Sequence, residues 1–319
     1  MSLAERRPPT PEEYAAYPKR FSNWGRWGPD DELGTLNHIT PEVRQRAASL
    51  VTAGRSISLG RVVDTHQGPL NPYPAQYLRT MRGSGGVAEF IGMYFHGQSQ
   101  SHIDAFSHAA TVDGKHFFNG TEVRKLDSSR GPRGSVHHWR DGIVTRGVLY
   151  DVPRHRGETH VAPGRPVHGW ELADVAQAQG VEPRPGDAVL IRCGRDRYLA
   201  DHPDGFAPED DGFGALIPAG VHVSVIEYLY KTDAAMLCWD MLDAPTADQG
   251  IGNPTRFVTP VHLHQILIPY MGMPLVDNVD LEALAEACTA IGRWEMLLVV
   301  APLIIEGGTG SPVNPIAML

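Results

Sequence analysis

Cysteines, runs of basic residues and long apolar segments are all scarce in this sequence of 319 residues. The three cysteines are odd in number and far apart, at Cys193, Cys238 and Cys288, and no CxxC pair occurs. Such spacing favours reduced thiols over a disulfide framework, so we expect a cytoplasmic protein. The first fourteen residues carry charge and three prolines. A secretory signal requires an apolar run of about 7–15 residues there, so export is not expected.

The charge and the hydropathy argue against two further classes of partner. Lysine and arginine total 28 and aspartate and glutamate total 37, which gives a net charge of −9 with no basic cluster. We therefore expect no nucleic-acid partner. The longest strongly apolar stretch, 296–305, is interrupted by Pro302 and has about half of the ~20 residues that span a bilayer. It indicates a buried strand, and we expect no membrane partner.

The residue patterns predict a mixed α/β (α+β) protein. Short β-rich segments bounded by Gly, Pro or Asp predict strands at 56–64, 87–95, 146–152, 187–193, 234–240 and 294–300. Helical spacing predicts helices from Pro41 to near Gly54 and at 170–180, 222–230, 259–272 and 280–288. Residues 1–35 lack periodicity, and we interpret them as an irregular N-terminal arm available to a partner subunit. Without repeats or a linker, residues 36–319 are expected to form a single domain.

The densest group of chemically active side chains lies at 96–108, with the sequence HGQSQSHIDAFSH, directly after a predicted strand. Residues two apart share a face only on an extended segment, so His102 and Asp104 can converge there on one ion. An imidazole and a carboxylate suit Zn²⁺, Mn²⁺ or Fe²⁺, and a site with open coordination positions is catalytic. Further ligands would have to come from elsewhere in the chain.

Two other interpretations of this segment stay open. His102 and Asp104 could form a buried hydrogen-bonded pair that only positions the loop. Residues 97–101, GQSQS, differ at one position from the G-x-S-x-G motif of serine hydrolases. Ser101 occupies the last glycine position of that motif, where it would hinder the sharp turn.

A second constellation lies downstream, where His262 and His264 precede Asp277 and Asn278. Two histidines two positions apart diverge on a helix, so at most one can face the same site as Asp277. The other is expected to cap the helix or to pack. Spacing alone does not distinguish a ligand from a structural histidine here.

The segment HIDAFSH (102–108) resembles the H-x-D-x-P-x-H core of the metal-dependent cyclase family, which contains bacterial kynurenine formamidase and isatin hydrolase. Four more segments are similar to a longer branch of that family: WGPDDELGTLNHI (27–39), RGVLYDV (146–152), PGDAVLIRCG (185–194) and GSPVNPIA (310–317). The resemblance covers roughly residues 20–319. It implies a compact, barrel-like mixed sheet with surrounding helices (the swivelling β/β/α fold), a homodimer or homotetramer, and one or two divalent ions.

The resemblance also assigns roles to residues that match the family motif. It implies that His102 and Asp104 are metal ligands and that His108 transfers protons or touches a second ion. It maps the downstream metal-binding pair onto His264 and Asp277.

Three positions depart from the family pattern. Gln98 stands where the family has its first ligand histidine, and His96 lies two residues upstream of it. Phe106 replaces the proline, and Asp277 replaces a glutamate. Either His96 enters the site by another loop path, or the metal is weakly held, or the site serves different chemistry.

The resulting prediction is a hydrolase that opens a C–N bond of a small amide, formamide or lactam, with water activated by Zn²⁺ or Mn²⁺. His108 would take the water proton and return it to the departing nitrogen. Aromatic side chains that could line a pocket for an aromatic or cyclic substrate, or simply belong to the core, are Trp24, Trp27, Phe95 and Trp139. One alternative is a cyclase or lyase that uses His108 and Asp104 for proton transfer, with or without metal. Another is a non-catalytic binder of small molecules.

Overall fold

The computed structural model describes residues 2–123, 133–203, 217, 219–244 and 262–319. Within them the strands are β1 (Ser56–Ser58), β2 (Gln76–Met81), β3 (Val87–Gly92), β4 (His102–Asp104), β5 (His116–Phe117), β6 (Thr121–Glu122), β7 (Ile143–Asp151), β8 (Ala188–Arg192), β9 (Met236–Trp239), β10 (Leu275–Asp277), β11 (Glu295–Val300), β12 (Gly310–Pro312) and β13 (Ile316–Met318). The α-helices are α1 (Ser2–Glu5), α2 (Pro11–Ala15), α3 (Tyr17–Arg20), α4 (Pro41–Ala48), α5 (Val152–Arg156), α6 (Gly169–Gln179), α7 (Arg195–Asp201), α8 (Val225–Lys231), α9 (His264–Ile266) and α10 (Glu282–Ile291).

Nine of these strands form one mixed sheet in the order β1-β13-β11-β7-β8-β9-β10-β4-β12. The central run from β7 to β10 is parallel, and the strands on either side of it pair antiparallel. The sheet curls into a half-barrel with helices around it, which confirms the predicted fold class. Two hairpins, β2–β3 and β5–β6, lie outside the sheet.

Both faces of the large sheet are buried, and each central strand alternates between two hydrophobic cores. Val189 and Ile191 of β8 belong to one core, and Ala188 and Leu190 belong to the other. Sheets covered on both faces have such continuously apolar strands, which explains why β7, β8 and β9 stand out in the sequence. Strands β10 and β4, which carry candidate ligands, lie toward the end of the sheet that β12 forms, with β4 beside this edge strand.

The six predicted strands overlap β1, β3, β7, β8, β9 and β11, and the predicted helices overlap α4, α6, α8, α9 and α10. Helix α4 begins as predicted, with Thr40 as its N-cap, but it ends well before Gly54. The hydroxyl of Ser49 donates to the carbonyl of Arg46, and tightened bonds follow at the next two residues, which closes the last turn early.

The helix predicted at 259–272 is only partly observed. Residues 259–261 lie outside the described residues. The rest forms α9 followed by a π-helical turn, Leu267–Met271, which ends at Gly272 in the left-handed conformation (φ +64°). Strand β11 covers residues 296–300 of the apolar stretch, as predicted, but the prediction of a buried strand is wrong for the rest, where Leu303, Ile304 and Ile305 are exposed. Among the described residues, no helix has the length and apolar character needed to cross a membrane.

The prediction of an irregular N-terminal arm is wrong for residues 2–21, which form α1, α2 and α3. Helix α2 begins with a capping box between Thr10 and Glu13, and periodicity alone does not reveal this helix. Tyr14, Tyr17 and Phe21 are buried in the same core as Val189 and Ile191. These helices are too short to show helical periodicity, yet their aromatic side chains make the segment part of the core.

Candidate metal centre

Strand β4 places two of the predicted ligands on one face of the sheet. In the register with β10, His102 is opposite Asp277 and Ile103 is opposite Val276. Ile103 and Val276 point into one hydrophobic core, so His102, Asp104 and Asp277 point to the other face. The segment is extended, as the two-residue spacing required.

The carboxylate of Asp104 stands at the centre of four imidazole rings. Its Oδ1 lies 2.9 Å from Nδ1 of His96 and 3.4 Å from Nε2 of His102. Its Oδ2 lies 3.6 Å from Nε2 of His108 and 3.7 Å from Nε2 of His264. Each carboxylate oxygen therefore faces its own pair of ring nitrogens.

Asp277 completes the cluster from the neighbouring strand. Its Oδ2 lies 3.2 Å from Nε2 of His264 and 3.7 Å from Nε2 of His102. Two sets of three ligand atoms result, each within 4.8 Å: His96, His102 and Asp104 form the first, and Asp104, His264 and Asp277 form the second. Asp104 belongs to both sets.

Asp104 is fully buried, and neither of its carboxylate oxygens has a hydrogen-bond partner of acceptable geometry. Burial by itself would raise the pKa of this carboxyl, but His108, His96 and His102 outweigh burial and hold the pKa well below its usual range. The group is therefore an ionised, buried carboxylate whose oxygens face ring nitrogens without a well-aligned hydrogen bond. A native structure rarely leaves such oxygens unpaired, and a bound cation would supply the missing partner. Nitrogen and oxygen donors of this kind fit Zn²⁺ or Mn²⁺.

Buried partners orient the second set of candidate ligands. Nδ1 of His264 lies 2.5 Å from Oδ2 of Asp243, whose Oδ1 accepts a hydrogen bond from the backbone of Leu263. Burial opposes the charge on His264, but Asp243 and Asp277 outweigh burial and raise its pKa. The indole of Trp239 donates to Oδ1 of Asp277 at 2.5 Å, so that Oδ2 is the oxygen that faces Nε2 of His264. Carboxylate–histidine pairs of this kind fix ring orientation at metal sites.

Sequence reasoning missed both Asp243 and Trp239. Their sequence signal is weak, because Trp239 lies inside a predicted strand and Asp243 follows it by a few residues. Of the two downstream histidines, His264 faces Asp277, and His262 packs edge-on against Tyr14 with ring centroids 5.5 Å apart. This division agrees with the expectation that the two side chains diverge.

His96 rather than Gln98 is next to Asp104. The ring of His96 stacks on His108 with centroids 3.9 Å apart and an interplanar angle of 12°. Room for this ring depends on Gly310 of β12, where a Cβ atom would lie 2.7 Å from Cε1 of His96. Gln98 is buried, but among the described contacts none joins its side chain to the cluster.

His108 has the most accessible side chain of the histidines around Asp104, with 29% of it exposed. Burial is the main cause that lowers the pKa of His108 to about 4. His96 and His264 also lower this pKa, whereas Asp104 raises it. The imidazole is then neutral at pH 7 and has a nitrogen free to accept a proton.

The four aromatic candidates lie in different places. The ring of Phe95 is 4.5 Å from that of His96, beside the cluster. Trp24 stacks on Tyr270, and Trp27 lies edge-on to His38. Trp139 is buried in the core. A substrate-binding role stays a prediction for Phe95 and for the three tryptophans.

The hydroxyls considered for a serine hydrolase are engaged elsewhere. Ser101 donates to the carbonyl of Asn278, and Ser99 donates to the side chain of Asn71. No described hydrogen bond joins either hydroxyl to a histidine. The geometry therefore favours a cation site over a nucleophilic serine.

Comparison with known proteins agrees with this fold. The sequence profile described as "Putative cyclase" matches residues 35–245, about two thirds of the chain. A crystal structure of a novel cyclase is similar over 95% of this chain and 99% of its own, with 26% identity and a TM-score of 0.77. Isatin hydrolase A from Labrenzia aggregata, bound to benzyl benzoate, shares the fold over 87% of this chain and 99% of its own, with 18% identity and a TM-score of 0.57. Isatin hydrolase A from Ralstonia solanacearum shares it over 87% and 97%, with 17% identity and a TM-score of 0.57.

No curated protein matches the chain. The extent of the profile match nevertheless makes the assignment plain: the chain belongs to the cyclase family.

Proposed function

We propose that this protein is a metal-dependent hydrolase that opens a C–N bond in a small amide, formamide or lactam with an aromatic or cyclic framework. The observation that carries the proposal is the carboxylate of Asp104, which is buried and ionised and lies among four imidazole rings without a well-aligned hydrogen bond. The isatin hydrolases share the fold and, by name, act on a cyclic amide.

The proposed ligands are His96, His102 and Asp104 for one ion, and Asp104, His264 and Asp277 for a second. When bound there, a divalent ion such as Zn²⁺ or Mn²⁺ supplies Lewis acidity, which polarises a carbonyl and acidifies water. Gln98 is not among the proposed ligands, because its side chain makes no described contact with the cluster.

His108 is the proposed proton carrier. Its Nε2 lies beside Asp104, and its side chain is exposed enough to meet a substrate. It accepts the proton of the attacking water and returns it to the departing nitrogen, which would otherwise leave as an unstable amide anion. Phe95, next to His96, is the best-placed aromatic side chain for contact with a substrate ring.

A cyclase or lyase is the second candidate. The proximity of Asp104 and His108 supports it, because a carboxylate oxygen 3.6 Å from an imidazole nitrogen needs to approach only slightly to reach the hydrogen-bond distance at which a proton passes without an ion. In either case we propose a small-molecule substrate, no nucleic-acid partner and an assembly of two or four copies.

The test is to assay chelator-treated protein, with and without added Zn²⁺ or Mn²⁺, on N-formyl arylamines, isatin-like lactams and cyclic imides. We expect ring opening or deformylation of one class only after an ion is restored. Full activity in protein shown to be free of metal would overturn the proposal in favour of the cyclase or lyase. A protein that binds these compounds without turnover in either state would be a non-catalytic binder.

A further inference from the structure

A buried arginine, Arg195, binds the backbone of the loop 96–101, which carries His96 and Gln98. Arg195 is only 4% exposed, and its guanidinium donates to the backbone carbonyl of Gln98 and, at 2.6 Å, to the side-chain oxygen of Asn278. Its charge is partly balanced by nearby carboxylates, among them Asp240 and Asp277. Two directed donors on a planar fork fix the loop more rigidly than a single point charge would.

Asn278 binds the same loop at three more points. Its side-chain amide donates to the carbonyls of Gly97 at 2.6 Å and Gln100 at 3.0 Å. Its own carbonyl accepts from the hydroxyl of Ser101 at 2.7 Å. Asn278 is fully buried and adopts the left-handed conformation (φ +56°), which asparagine tolerates better than most residues.

Arg195 is itself held by the adjacent parallel strands. It is the first residue of α7, and two residues separate it from the end of β8. The carboxylate of Asp240, at the end of β9, accepts hydrogen bonds from the backbone of Cys193, Gly194 and Arg195 at 2.7, 2.8 and 3.2 Å. The loop is thus fixed to the rigid centre of the sheet.

These contacts involve a candidate ligand of each set, His102 of the first and Asp277 of the second. The carbonyl of Gln100 accepts from Asn278 and also lies 2.8 Å from Nδ1 of His102, so one oxygen orients both the loop and a ligand ring. Asn278 directly follows Asp277 in the chain. Gln98 is attached through its backbone, and its side chain points to no described partner in the cluster.

We propose that Arg195 and Asn278 are positioning residues that set the path of the loop 96–101, so that His96, and not Gln98, stands against Asp104. This inference rests on the proposed metal site for its functional meaning. It explains how the chain keeps a histidine in the cluster although Gln98 occupies the family's usual ligand position.

The first experiment uses Asn278→Gly, which removes the amide but keeps the left-handed backbone accessible. Asn119→Gly is the matched control, because Asn119 also has a positive φ (+57°) and donates to two backbone carbonyls, those of Gly28 and Asp31. In the metal-free full chain, we expect faster amide hydrogen exchange over residues 96–101 in Asn278→Gly and unchanged exchange there in Asn119→Gly. Unchanged exchange in both would refute the proposed attachment.

The second experiment measures the Kd for Zn²⁺ by competition with a chromophoric chelator. Changes at outer partners of ligands typically weaken metal binding about 10–100-fold, and we expect Asn278→Gly to fall in this range. Arg195→Lys keeps the charge but loses the fork, so it should weaken binding in the same direction. Asn119→Gly and Gln98→Ala should leave the Kd unchanged.

A double-mutant cycle then asks whether Asn278 acts through His96. His96→Ala should weaken Zn²⁺ binding strongly in the wild-type background and much less in Asn278→Gly. Equal losses in both backgrounds, or a large loss on Gln98→Ala, would overturn the inference. If wild-type protein binds no Zn²⁺ or Mn²⁺, the proposed function fails, and the exchange experiment alone decides whether the loop is held as described.

Discussion

Among single residues, His108 is the side chain that we expect to carry protons. It contacts Asp104 but belongs to neither set of candidate ligands. We expect His108→Ala to lower kcat by about 100-fold or more, because proton transfer typically contributes 10²–10⁴-fold. Steady-state kinetics and metal analysis of the same sample check this, with His66→Ala, at a 92% exposed side chain, as the control. Loss of metal together with activity would make His108 a ligand instead.

We expect Asp243 to support metal binding by orienting the ring of His264. Its carboxylate contacts Nδ1 and so directs Nε2 toward Asp277 and Asp104. Asp243→Asn preserves the shape but removes the charge, and we expect Zn²⁺ affinity to fall about 10–100-fold. Competition titration measures the loss, and the exposed Asp141→Asn should show none. Unchanged affinity in Asp243→Asn would contradict this role.

Some site residues are predictable from the sequence because their geometry is local. His102 and Asp104 share a face since strand residues alternate, and that holds wherever the strand lies in the fold. The choice between His96 and Gln98 is different, because the loop path depends on Arg195, almost a hundred residues away. Asp243 and Trp239 were missed for the same reason: only tertiary contacts bring them to His264 and Asp277.

At the scale of elements, the N-terminal helices α2 and α3 provide a test of the corrected prediction. Phe21, directly after α3, is 2% exposed and packs edge-on against Tyr17 with ring centroids 4.7 Å apart. We expect Phe21→Ala to reduce the free energy of unfolding by about 3–5 kcal/mol, as for other buried phenylalanines. Chemical denaturation measures this, and Lys19→Ala, on the exposed side of α3, should change it by less than about 0.5 kcal/mol. A small effect at Phe21 would mean that this segment is a loose arm.

Elements differ in how visible they are in a sequence. Helix α6 ends at Gly180 in the left-handed conformation, where the sequence predicts its end, whereas α10 continues to Gly292, beyond the predicted end at residue 288. Helices α2 and α3 have four or five residues, too few for a periodic pattern. The two-residue strands β5 and β6 are equally short. Such elements form because tertiary packing stabilises them.

At the scale of the whole molecule, the fold class follows from mixed helical and β patterns, but the strand order does not. Strand β1 begins at Ser56 and pairs with β13, which ends at Met318 near the C-terminus, and β4 lies between β10 and β12. No local signal specifies pairings between segments this far apart. The convergence of His102 with Asp277 depends on them, and only the family resemblance anticipated it.

The central claim is that the cluster around Asp104 holds a divalent ion. The most direct test is elemental analysis of the purified full chain after exposure to Zn²⁺ or Mn²⁺ and removal of free ion, for wild type and Asp104→Asn. Asp104 is shared by both candidate sets, so we predict one or two ions per wild-type chain and a loss of bound ion in the variant. Wild-type protein without bound metal, or Asp104→Asn protein that keeps its full complement, would contradict the account.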